Sequence, residues 1–178
     1  MSYNGLSNFL AQAITDSKEQ DILFSVHLKA TMMKVSDPII FGAVVKAYYA
    51  DVFEKYGDVF EKIGFDANNG MRTLDQKLES LDPSLKAEIE AAIDAVEHSQ
   101  PLACPNTNVH VTNLDVPSDV IIDASMAAKL RYSGQMMCLD GQYKDTKFTI
   151  PDRCYAGIYQ QVIDFCKEYG AFDVTTMG

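Results

Sequence analysis

One short run constrains this chain more than any other feature. Ile22-Leu23-Phe24-Ser25-Val26-His27-Leu28 is rich in apolar and β-forming residues and too short to be a helix of its own, so it reads as a buried strand. Lys29 stands at its carboxyl end, where α/β sheets collect their binding groups. Helical patterns flank the run. Leu6, Phe9, Leu10, Ala13 and Ile14 recur at helical spacing behind the cap candidate Ser7, which predicts an amphipathic helix to about Gln20. Ser36-Asp37-Pro38 is a helix-start signal, and Ile40, Phe41, Val44, Val45 and Tyr48 continue on one face, so a second helix is expected to reach roughly Lys55.

Gly57 and Gly64 break that pattern, and Asn68-Asn69-Gly70 is turn chemistry because these residues tolerate positive φ at low cost. Two further helices are expected, Met71 to Leu81 and then one capped by Asp82 with Pro83 at its first position, continuing through Ile89, Ile93 and Val96. Gln100 to Pro117 holds three prolines with Asn and Thr residues and reads as loop, with a short strand around Val109 to Thr112. Asp119 to Tyr132 reads as mostly helix, Ala124 to Leu130 outweighing the β-like Val120-Ile121-Ile122. Asp140-Gly141 is a two-residue hairpin turn between Gln135 to Leu139 and Gln142 to Ile150, and Arg153 to Tyr169 closes as a helix with Gly170 at its end. There is no internal repeat. The pattern is α/β or α+β, helix-rich, and the 178 residues, 47% of them hydrophobic, suffice to bury the core of one domain.

A formal charge of −10 makes contact with nucleic acid or an anionic membrane start from repulsion, so neither is expected as a partner. Small anions remain open, since a local cation or bound metal overrides the average field. Cys104, Cys138, Cys154 and Cys166 form no CxxC pair, which argues against a zinc knuckle or a thioredoxin motif and for reduced thiols. With neither a basic, apolar leader nor eighteen consecutive apolar residues, the expectation is a soluble cytoplasmic protein.

The segment from His27 to Pro38 sets Lys29 and Lys34 around a strand end beside Met32 and Met33. An ammonium held among apolar side chains loses hydration and can serve as a proton carrier near neutrality, although lysines flanking a strand more often snorkel to the surface. Asp115, Asp119, Asp123, Asp140, Asp145 and Asp152 make the second half rich in the oxygen ligands that magnesium and manganese prefer, but without EF-hand spacing. Most such aspartates cap helices or face water. His98 and His110 lack partners at ligand spacing, and neither GxGxxG nor GxxxxGK[ST] occurs, so the residues alone offer no nucleotide site.

Three stretches carry a resemblance: HLKATMMKVSDPIIFG at 27–42, VPSDVIIDASM at 116–126, and IPDRCYAGIYQ with CKEYGAFDVTTMG over 150–178. They closely resemble the monomeric NADP-dependent isocitrate dehydrogenases, in one register from about residue 6 onward, and match an interior part of a protein several times longer. The resemblance implies a piece of the large domain of the isocitrate and isopropylmalate dehydrogenase fold, with residues 1–178 forming a single domain. That family oxidises isocitrate with NADP and Mg2+ or Mn2+ and decarboxylates the product to 2-oxoglutarate, the metal polarising the developing carbonyl. By motif position Lys29 matches the lysine that handles the proton of the substrate hydroxyl, and Asp123 matches one metal-ligand aspartate. The family's partner tyrosine would align past Gly178, and its other metal ligands, arginine clamp and NADP-binding residues align to segments outside these residues. Three departures accompany the match: Ala43 replaces a histidine, Cys104 to His110 replaces a charged, glycine-containing segment, and Met136-Met137-Cys138 replaces a tryptophan-bearing pattern.

The resemblance therefore leads to an enzyme fragment, inactive alone because positioning and charge stabilisation must act together, with neither metal nor NADP held tightly. A different class of reading is a binding module or homodimerising relic that docks to a complementary dehydrogenase segment or to itself.

Overall fold

In the computed structural model the described residues are 1–29, 33–100, 102–104, 111–117, 122–173 and 175, side chains at 122–125 and 128 excepted. The buried strand is present as β1 (Leu23–Val26), with all four residues buried. It is covered by α1 (Tyr3–Glu19) and α2 (Ser36–Tyr48), whose apolar faces meet in one core holding Leu6, Leu10, Phe24, Val26, Phe41 and Val44. The first cap differs from expectation: Ser2 rather than Ser7 accepts from the Gly5 N–H, so α1 begins a turn earlier and Ser7 lies inside it.

The helix expected from Ser36 to Lys55 is two helices, α2 and α3 (Ala50–Lys62), divided at Tyr49, whose φ of −98° and ψ of 33° leave the helical region. Both tyrosines at the break are buried and anchored across the core. The Tyr48 hydroxyl donates to the Gln100 carbonyl, and that of Tyr49 donates to Glu97 Oε1 at 2.6 Å. Gly57, expected to stop the helix, lies within α3, where it costs about 1 kcal/mol relative to alanine and where Tyr56 and Phe60 still bury. The stop falls at Gly64, with φ of +66°. A 3₁₀ turn (Ala67–Asn69) packs so closely on α2 that a Cβ on Gly42 would overlap the Asn68 side chain.

α4 (Arg72–Leu78) and α5 (Pro83–Ser99) follow, the latter capped by Asp82 with Pro83 at its first position, as expected. Leu102 to Cys104 then runs beside β1, with a parallel bridge between Phe24 and Leu102. Of the strand expected at Val109 to Thr112, residues 109 and 110 lie outside the described residues. α6 (Ile122–Arg131) bears out the helical reading from residue 122 on, its expected start lying outside the described residues. The hairpin is β2 (Gln135–Met137) and β3 (Tyr143–Thr149), antiparallel, and α7 (Ala156–Tyr169) ends at Gly170.

The three strands form one mixed sheet in the order β1-β3-β2. β3 lies parallel to β1 with Leu23 opposite Thr146 and Val26 opposite Thr149, so the carboxyl ends of both strands reach the same edge. This helix-rich layering around a small mixed sheet is the α/β class expected.

Candidate functional site

The shared edge is where chemistry-bearing side chains gather. Beyond Val26, the His27 N–H donates to the Thr149 carbonyl, which prolongs the pairing toward Lys29. Lys29 is only 6% exposed, unusual for a lysine, and its ammonium stands 5.0 Å from the centroid of the Tyr155 ring. The snorkelling alternative does not hold for Lys29. Lys34, its neighbour in the motif, is exposed.

Tyr155 comes from the turn that leaves β3. Within it the Arg153 N–H donates to the Ile150 carbonyl, the Cys154 N–H donates to Asp152 Oδ1 at 2.9 Å, and Arg153 and Tyr155 both hold left-handed φ, of 60° and 58°. Two non-glycine residues in that region cost about 1–2 kcal/mol each, strain of the kind that collects at functional sites. Here it turns Asp152, Cys154 and Tyr155 toward the strand edge. Burial, then the Asp152 carboxylate, pushes the Cys154 thiol up and keeps it a poor nucleophile.

Asp37 closes the edge from the first turn of α2. It caps nothing: the helix begins behind Val35 without a side-chain cap, and Asp37 is fully buried. Burial first and the Asp152 carboxylate second raise its carboxyl to about 6, against the opposing pull of the nearby Lys29 backbone N–H and of Ser36, neither of which meets it in hydrogen-bond geometry. His27 is equally enclosed, its Nε2 2.8 Å from Ser25 Oγ, and burial followed by the charge of Lys129 lowers it to about 4, so this histidine is neutral near pH 7.

Asp123 falls at the second position of α6, and its side chain lies outside the described residues. Among the described residues no three His, Cys, Asp or Glu side chains converge as a metal centre. A separate cleft of about 900 Å³ lies between α5 and the hairpin, but its lining includes Asp75, Asp94, Glu97, Asp115 and Asp140, a poor reception for an anion, and none of the strand-edge residues belongs to it. Asp37 and Asp152 are the edge residues that sequence reasoning missed as a pair. Asp37 was legible only as part of a helix start and Asp152 only as one of many acids. No helix among the described residues is long and apolar enough to cross a membrane.

A buried lysine among carboxyl groups at the carboxyl edge of parallel strands defines the class: an α/β piece with a cationic group at its strand ends. The family described as monomeric isocitrate dehydrogenase matches residues 1–178, and the chain belongs to that family. Over its whole length it is 55% identical to the isocitrate dehydrogenase (NADP) of Azotobacter vinelandii, 52% identical to isocitrate dehydrogenase (NADP) 2 of Colwellia maris and 44% identical to isocitrate dehydrogenase (NADP) 2 of Mycobacterium tuberculosis. In each case it covers 24% of the relative, so the chain spans about a quarter of the length of these proteins.

Proposed function

We propose that this chain is a single-domain portion of an NADP-dependent isocitrate dehydrogenase, supplying Lys29 as the group that handles the proton of the substrate hydroxyl and Asp123 as one ligand of a magnesium or manganese ion. The burial of Lys29 at a shared strand edge is the observation that carries the reading. Oxidation at the hydroxyl carbon of isocitrate sends a hydride to NADP and releases the hydroxyl proton, which needs an acceptor within hydrogen-bond reach. An amine shielded from bulk water exchanges that proton with a bound reactant rather than with solvent, and the Tyr155 ring fixes where it stands. One lysine and one aspartate do not bind isocitrate, metal and NADP together, so the chain alone is silent.

The test is isocitrate-dependent NADP reduction by the purified chain, with and without a complementary fragment holding the remaining three quarters of a family protein. Activity is expected only in the mixture, and Lys29→Met is expected to lower it by about 10²–10⁴-fold. Turnover by the chain alone, or a mixture indifferent to Lys29→Met, would overturn the reading. The exposed apolar stripe of α7, with Ile158, Phe165 and Tyr169 at 59%, 44% and 68% exposure, supports docking of such a fragment. Sedimentation of the chain alone distinguishes this from self-association, the reading of the chain as an assembly module.

A further inference from the structure

Three carboxyl oxygens at the strand edge are buried with no hydrogen-bond partner among the described residues: Oδ1 and Oδ2 of Asp37 and Oδ2 of Asp152. Their neighbour Thr149 Oγ1 is in the same condition at the end of β3. Leaving a buried carboxylate ionised and unbonded costs several kcal/mol, more than the packing of one side chain returns. Two ionised carboxylates cannot relieve each other, because both only accept; a single proton turns one of them into a donor and makes the contact a short hydrogen bond.

We propose that Asp37 and Asp152 hold one proton between them as a carboxyl pair, and that Asp37, through its contact with the Lys29 backbone N–H, is a positioning residue for that lysine. The inference rests on reading Lys29 as the proton-handling group. The groups facing Asp37 agree with it. From the segment after β1 comes the Lys29 backbone N–H; from the turn after β3 come Asp152 and Cys154, with Tyr155 beneath the Lys29 ammonium; from α2 itself comes Ser36. Cys154 is neutral near pH 7, so Asp152 is the acid that works against ionisation of Asp37. The pair also ties together three parts of the chain, the end of β1, the start of α2 and the exit of β3. Gain or loss of its proton changes the charge behind Lys29 without any rearrangement of the sheet.

Asp37 differs from a structural acid in what it predicts for titration. In the whole chain labelled with carboxyl-¹³C aspartate, Asp37 is expected to titrate with a midpoint of about 6, and the Lys29 backbone amide signal is expected to move with that same midpoint. Asp152→Asn is expected to lower the Asp37 midpoint by about one pH unit or more, by removing the like charge and offering an amide donor. Asp37→Asn is expected to abolish the pH response of the Lys29 amide between pH 5 and 7. Should Asp37→Asn not fold, the Asp152→Asn titration still decides. An Asp37 midpoint near 4, as an ordered water bridging the oxygens would give, overturns the pair; so does a midpoint unmoved by Asp152→Asn or a Lys29 amide indifferent to it. Lys29→Met in the fragment-complementation assay addresses the lysine reading separately, since the carboxyl titration needs no turnover.

Discussion

α2 and α7 are almost the same length, thirteen and fourteen residues, yet eight residues of α2 are buried and none of α7 is. α2 is enclosed by α1, β1 and the 3₁₀ turn, and it brings Asp37 to the strand edge. α7 keeps its apolar residues to themselves: Phe165 stacks on Phe172 at 5.0 Å and touches Tyr169 at 4.9 Å, while all three stay exposed. The difference separates what holds this chain together from what it leaves uncovered. Amphipathic pattern alone does not distinguish the two, since a helix shows the same stripe whichever side of the chain covers it.

The sharpest way to break the contrast is to empty the α2 side. Phe41→Ala removes a fully buried ring and is expected to cost about 3–5 kcal/mol in urea unfolding. A loss under about 1 kcal/mol would mean that α2 is not the structural centre. An intermediate effect comes from pH, because the α2 side holds two groups with opposing linkage. Asp37 rises from 3.8 to about 6 on folding, so its stabilisation is full at low pH and is lost as pH rises through 6. His27 falls from 6.5 to about 4, so its contribution is present above 6.5 and is lost as pH falls toward 4. Between these limits the two slopes offset each other. Relative to the native chain, the Tm of Asp37→Asn is expected to climb more steeply from pH 4 to 6.5, and that of His27→Gln is expected to decline over the same interval. Parallel profiles for all three proteins would contradict the linkage. The smallest effect belongs to α7, where Ile158→Asp is expected to change stability by no more than about 0.5 kcal/mol while weakening activity in the fragment mixture. A large stability loss there would show that α7 packs against its own chain after all.

Much of this was legible in residue order because local signals agreed with tertiary ones. The run at 22–28 and the Asp82-Pro83 helix start each combine a period with the right terminator, and each has its counterpart in the structure; the hairpin is there too, but Cys138 faces Gln142, so its loop is the three residues Leu139 to Gly141 rather than the two-residue Asp140-Gly141 turn expected. The break at Tyr49 was not legible, since nothing local interrupts the helical pattern there; it follows from two hydroxyls reaching Glu97 and Gln100 on α5 and its carboxyl end. Gly57 misled in the opposite sense, a weak helix former tolerated because its neighbours are well buried. Lys29 could be singled out by its strand end. The pairing of Asp37 with Asp152 could not, because each looks locally like an ordinary helix-start or turn aspartate and they meet only once β3 lies beside β1.

That parallel pairing has a consequence in time. β1 is made near the beginning of the chain, whereas the strand that completes its edge ends at Thr149. At translation speeds of about 5–20 residues per second, Lys29 is synthesised on the order of ten seconds before the turn that seats it. α1, α2 and α3 can pack in that interval from local contacts, while the edge waits for a long-range closure that is inherently slow. The strand edge therefore takes shape only after α1, α2 and α3, and no nascent chain that stops short of Thr149 holds both of its sides.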